Sequence, residues 1–179
     1  MVNYSLSPEN LHFYHMDEDR YPRLSRKQQL HRWDTLYSME WISSHHHNIV
    51  PPSAVECGTS GTTTKLYLGR AEHAGSITPG FVDPSKKICT IPWGGQAHEK
   101  SVYEILATSG EFVPCQDTNT LLRATPAGVS EQGEPLYFGR VKVDGKLICG
   151  KVQRSHNVCY VPHKSKEKAV QNFEVFIKS

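Results

Sequence analysis

Thiols, imidazoles and clustered hydroxyls have the most chemical reach in this chain, and their spacing decides what they can do. The five cysteines (Cys57, Cys89, Cys115, Cys149, Cys159) are odd in number and widely spaced, with no C-x-x-C pair. That argues against a zinc knuckle or a redox motif and reads as reduced thiols in a reducing compartment. His45-His46-His47 could meet zinc, copper or nickel, yet neighbouring side chains of an extended chain point to opposite faces. A solvated loop is the better reading. The run 59–65 (Thr-Ser-Gly-Thr-Thr-Thr-Lys) is rich in hydroxyls but lacks the Gly-Lys-Ser/Thr of a Walker loop. Ser, His and Asp residues are scattered without a nucleophile elbow. No enzymatic activity, metal or cofactor is expected.

The elements that must position these groups form a repeat. Leu66-Tyr67-Leu68-Gly69-Arg70 returns as Leu136-Tyr137-Phe138-Gly139-Arg140, an offset of 70 residues. At that offset Gly58 matches Gly128, Gly75 matches Gly145, Ser85 matches Ser155, Cys89 matches Cys159 and Pro92 matches Pro162. The register closes with Tyr103-Glu104-Ile105-Leu106 against Phe173-Glu174-Val175-Phe176 and needs no gap. The hydroxyl-rich run, which also resembles the phosphate loop of the much longer acyl-adenylate-forming enzymes, falls in register with 130–135 and so belongs to the repeat.

Residues 65–70, 87–91 and 102–106 are short, rich in β-branched or aromatic residues, and bounded by Gly, Pro or Ser. They read as strands. Asp144-Gly145 suits the type I′ slot of a two-residue hairpin, and Ala74-Gly75 takes the same place in the first copy. Trp41-Ile42 and Phe112-Val113 each precede a polar loop and the first glycine of a copy. The expectation is an all-β protein of two tandem repeats, 40–109 and 110–179, with about four short antiparallel strands each. Units that small have marginal cores, so the copies should pack about a pseudo-two-fold axis. Arg70 and Arg140 are expected to be structural, bonding loop carbonyls or the Glu104 and Glu174 carboxylates. Residues 1–39 stand outside the repeat, with a short helix over 25–33 capped by Ser25. They read as a partly ordered extension on the core, or as a segment that makes a homodimer.

Bulk properties exclude several classes. A net charge of +2 over 179 residues does not imply a nucleic-acid surface, and no apolar run reaches the ~18 residues of a membrane span. Mean hydropathy is −0.50, ordinary for a folded soluble chain. Residues 1–10 lack the basic and apolar regions of a secretory signal, so a cytoplasmic location is expected, with vesicle association or unconventional release as the route out.

The string Leu-Tyr-x-Gly-Arg, Pro-Gly-x-Val, Cys-x-x-Pro-x-Gly-Gly, His and Tyr-Glu-Ile-Leu resembles the DM-nine repeat family over about 40–179. Tandem members of that family include mannose-recognising lectins of invertebrate immunity. The resemblance implies a non-enzymatic, pseudo-symmetric β-protein with up to two sugar sites and mannose-type glycans as partners. It assigns sugar contact to the lysine of a Pro-Gly-Lys element, here Lys151, while the first copy has Phe81. Other family-like polar positions are His156, Glu167, His98 and, early in the second copy, Glu131. Trp93 reads equally as a stacking platform or as cover for the core edge. Neither copy keeps the full polar set. The leading reading is a carbohydrate-binding, pattern-recognition protein. The runner-up is a repeat scaffold that binds another protein and has lost sugar recognition.

Overall fold

The computed structural model describes residues 24–44, 50–60 and 63–179, so the His45–His47 run and the first part of the N-terminal extension lie outside the described residues. The helix expected after Ser25 is present as α1, Arg26–Leu36. Ser25 is extended and its side chain accepts from the Gln28 N–H, while Gln28 returns the bond to the Ser25 N–H at 2.9 Å. This reciprocal capping satisfies two donors that a helix start leaves open. Leu30 and Trp33, one turn apart, bury against Val129 of the second repeat.

Among the described residues each copy contributes seven strands, where about four were expected. The first copy runs β1 Glu40–Ser43, β2 Glu56–Ser60, β3 Thr64–His73, β4 Ser76–Asp83, β5 Ile88–Trp93, β6 Gln96–Lys100 and β7 Glu104–Ala107. The second runs β8 Gly110–Pro114, β9 Pro126–Val129, β10 Pro135–Val143, β11 Lys146–Gln153, β12 Val158–His163, β13 Lys166–Val170 and β14 Glu174–Lys178. A short helix α2, Thr118–Arg123, lies between β8 and β9. The additional strands are polar or short, β6 and β13 above all, and carry no apolar run to announce them. Val102, read as strand from its type, is 60% exposed and precedes β7.

Strand order is β1-β7-β3-β4-β5-β6-β13-β12-β11-β10-β14-β8, a palindrome in which one repeat mirrors the other across the β6–β13 seam. At the seam Gln96 pairs with Lys166. The two-fold relation also appears as an interlock. A Cβ on Gly58 of β2 would collide with the Leu147 carbonyl of β11, and one on Gly128 of β9 with the Ile77 carbonyl of β4. Leu147 and Ile77 are themselves 70 residues apart, so each copy presses a bare backbone against the other. This explains why both glycines are kept.

Both predicted hairpins form, with φ of 48° and 77° at Ala74-Gly75 and 49° and 79° at Asp144-Gly145. Each copy has its own core, Val82, Cys89, Ile91 and Ile105 in one and Val152, Cys159, Val161 and Val175 in the other. A third cluster joins them, with Leu68 and Leu106 against Phe138 and Phe176. All five cysteines are free thiols and four are buried. Burial pushes the Cys89 and Cys159 thiols well above their ordinary range, which fits an inert core role.

Arg70 and Arg140 do hold the neighbouring carboxylates. Arg70 Nε donates to Glu104 at 2.7 Å and Arg140 Nε to Glu174 at 2.6 Å. Each guanidinium also lies over an aromatic ring, Trp41 in one copy and Phe112 in the other.

Candidate functional site

Four of the six polar candidates meet at the seam. Lys151 follows Gly150 on β11, where the strand runs through the interior, and only 7% of the residue is exposed. Its Nζ lies 3.0 Å from Glu167 Oε1, and Glu167 is as buried as its partner. Glu167 comes from β13, the seam strand, and its other oxygen accepts the Gly95 N–H of the first repeat at 2.7 Å. The backbone repeats the clamp, with Glu167 N donating to Gly95 O at 3.0 Å. One carboxylate therefore ties a cation of one copy to a turn of the other.

Glu131 reaches the same place from the loop between β9 and β10. Burial raises its pKa, but bonds from its own N–H, from Gln132 and from the Trp93 indole, with the Lys151 charge, outweigh that and hold it below the usual range. Indole N–H is only a donor, so Trp93 at the end of β5 serves the carboxylate as well as presenting a ring. Tyr160, cross-strand from Lys151, supplies a further aromatic face, 5.4 Å from Nζ to the ring centre. The cluster carries one cation and two carboxylates.

Glu167 Oε1 is buried and receives no aligned hydrogen bond, although the lysine nitrogen is near. An ion pair without a well-directed donor leaves acceptor capacity open in a site where water is scarce. A neutral polyol meets that need, because each hydroxyl donates and accepts without adding charge.

The other two candidates stand apart. His156 sits on an exposed 3₁₀ turn, Arg154–His156, and bonds the Tyr160 hydroxyl at 2.9 Å, so it touches the cluster only through that ring. His98, on β6, lies 3.0 Å from the Trp93 carbonyl and packs on His73 with ring centres 4.1 Å apart. Burial, then the His98 and Lys100 charges, lowers the His73 pKa and keeps that imidazole neutral at pH 7. Among the described residues no group of three His, Cys, Asp or Glu is set to hold a metal.

Gly95 belongs to the Gly-Gly element of the family pattern, whereas nothing in the sequence marks Tyr160 as a site residue. The 70-residue offset could have flagged Tyr160, since its counterpart is Thr90, a change as large as Lys151 against Phe81. The N-terminal helix, expected to lie on the core, also supports the site. Arg26 donates to Gly75 O at 2.6 Å and to the Glu131 carbonyl, and Gln29 donates to Gly133 O at 3.3 Å. The extension thereby fixes the loop that carries Glu131.

The model of the DM9 repeat matches residues 21–96 and again 62–170. No curated protein matches the chain. Among solved structures, the nematode sperm cell motility protein MFP2B is similar, with a TM-score of 0.56 at 14% identity over 78% of this chain and 46% of that one. The chain spans less than half the length of that neighbour, and the likeness is one of fold.

Proposed function

We propose, for a chain that belongs to the DM9 repeat family, that the seam around Lys151 binds a neutral sugar of the mannose type and that the protein is a non-enzymatic lectin. The units concerned are 40–109 and 110–179. The observation that carries this reading is the buried Lys151–Glu167 pair with its unsatisfied carboxylate oxygen. Glu131 adds acceptors, Lys151 donates, and Trp93 and Tyr160 offer ring faces for the apolar side of a pyranose. The excess of carboxylates disfavours anionic sugars. A pattern-recognition role and a cytoplasmic location follow as parts of the same proposal.

Calorimetric titration of mannose and mannan tests it. Lys151→Ala would strand a buried carboxylate and unsettle the fold, so the informative variants are Glu131→Gln and the paired change Lys151→Met with Glu167→Gln. Binding should weaken about tenfold in the first, as expected for a lost hydrogen bond to a charged group, and vanish in the second. No heat from the wild-type protein with either ligand would end the sugar reading.

A second reading has its own support. Lys151 is already neutralised internally, and the matching positions of the first copy, Phe81 and Ala97, are apolar. A scaffold that binds a protein and no sugar would show a silent glycan array alongside a specific co-purifying partner.

A further inference from the structure

The two-fold counterpart of the Lys151 cluster is an open groove of about 610 Å³ on the other side of the seam. Apolar side chains of both copies line it, Phe81, Leu66 and Ile148, with Ala97 where the first site has Glu167, and the Ser60, Thr90 and Ser165 hydroxyls stand among them. Four lysines stand around it, Lys86, Lys100, Lys146 and Lys164. Their counterparts at the Lys151 side are His156, Val170, Ser76 and Gly94, none of them a lysine. The rim charge therefore belongs to this groove and is not a general property of the surface.

The acids nearby do not cancel it. Asp83 is buried and accepts from the Ser85 N–H and hydroxyl at 3.0 and 2.6 Å, and Glu99 is the other acid in the lining. Lys164 pairs with Asp144 at 3.5 Å, both side chains exposed, and Lys100 donates to His73 at 3.2 Å. Lys86 and Lys146 are exposed ends that enter no ion pair among the described residues. Counting Asp144, four lysines face three carboxylates over a largely apolar bed.

We propose that this groove binds a monomeric anionic amphiphile, an aliphatic chain ending in a phosphate, sulfate or carboxylate. The apolar stretch of the lining, Phe81, Leu66, Ile88, Ala97 and Ile148, suits an aliphatic chain better than a polyol, which would give up water there for few partners. An apolar chain would cover Phe81 and Ile148 and leave its head among the lysines, where low-dielectric walls strengthen the field. The volume falls in the range of small-molecule sites. This inference does not depend on sugar binding at Lys151.

The experiment titrates the full chain with octyl phosphate, inorganic phosphate and 1-octanol, each alone, and repeats it with the double variant Lys86→Glu, Lys146→Glu. Both lysines are exposed, and an unchanged melting temperature would show that the variant folds. Octyl phosphate should bind saturably, one per chain, at least tenfold more tightly than phosphate or octanol. The double reversal should weaken it at least tenfold, and mannose should not compete. Absence of saturable binding, equal affinity for octanol, or an unchanged double variant would each overturn the proposal.

Discussion

The two repeats share a backbone and differ in what they enclose. Turns, the arginine–glutamate pairs and the interlocking glycines recur at a spacing of 70 residues, whereas one side of the seam holds Lys151, Glu167 and Trp93 and the other Phe81, Ala97 and His163. The difference shows which constraints a duplicated fold cannot relax. A carbonyl pressed onto a glycine leaves no room for a Cβ, whereas the positive φ of Gly94-Gly95 is taken over by Lys164-Ser165. A side chain facing a cleft can change so long as the cleft remains neutral or solvated. Fold and ligand chemistry have separated within one molecule.

The largest effect should come from the interlock. Gly58→Ala and Gly128→Ala each force a methyl against a backbone carbonyl of the other repeat, and backbone cannot swing aside as a side chain can. Each should cost about 3 kcal/mol, the upper end for overpacking, in urea denaturation. Near-equal losses would support a two-fold contact. A loss confined to one variant would show that the repeats lean on each other unevenly.

The arginines come next, and here the copies should part. Arg70 is almost fully buried and reaches Asp34 of α1 at 2.9 Å as well as Glu104. Among the described residues Arg140 pairs with one carboxylate, Glu174, and both of those side chains are partly exposed. Arg70→Met should cost about 2 kcal/mol, because it removes a buried guanidinium that joins two carboxylates and the Ala127 carbonyl. Arg140→Met should cost about 1 kcal/mol, with water taking the place of the guanidinium. Hydrogen exchange in α1 should rise only with the first. Equal destabilisation would refute the claim that the N-terminal helix draws its anchorage from Arg70.

Much of this arrangement could be read from the chain. Asp144-Gly145 and Ala74-Gly75 announced their hairpins, because few residues tolerate two successive positive φ values. Ser25 announced α1, because its hydroxyl caps a helix better than it fits inside one. Strands β6 and β13 gave no signal, being polar and half exposed, and they form the seam on which the site is built. Hence Lys151 could be named from the family pattern, but not its burial or the clamp to Gly95. The same applies to Lys146, which reaches the Phe81 groove from the opposite repeat. Which copy's turn faces which strand depends on a pairing that joins residues 70 apart, and no local pattern encodes that.

The smallest expected effect tests how each copy ties down the same loop. Ser85 and Ser155 are equivalent, and in each the N–H and hydroxyl bond a carboxylate. In the first copy the acid is Asp83, two residues away. In the second it is Glu134, brought from the β9–β10 loop and held also by Gln153 at 2.9 Å. Burial raises the Glu134 pKa, but the Ser155 and Gln153 bonds and the His156 charge more than offset it, so it falls below the ordinary 4.5. A carboxyl lowered in the folded state binds fewer protons there than in the unfolded chain. Its contribution is therefore present above about pH 4.5 and is lost as pH falls through the lower folded value. Glu134→Gln should cost about 1 kcal/mol at pH 7, since water replaces part of what is lost at this partly exposed group. Its stability should also decline less steeply than wild type below pH 4.5. Parallel acid profiles for the two proteins would mean that Glu134 holds the loop by shape alone, and that the copies differ here in residue but not in physics.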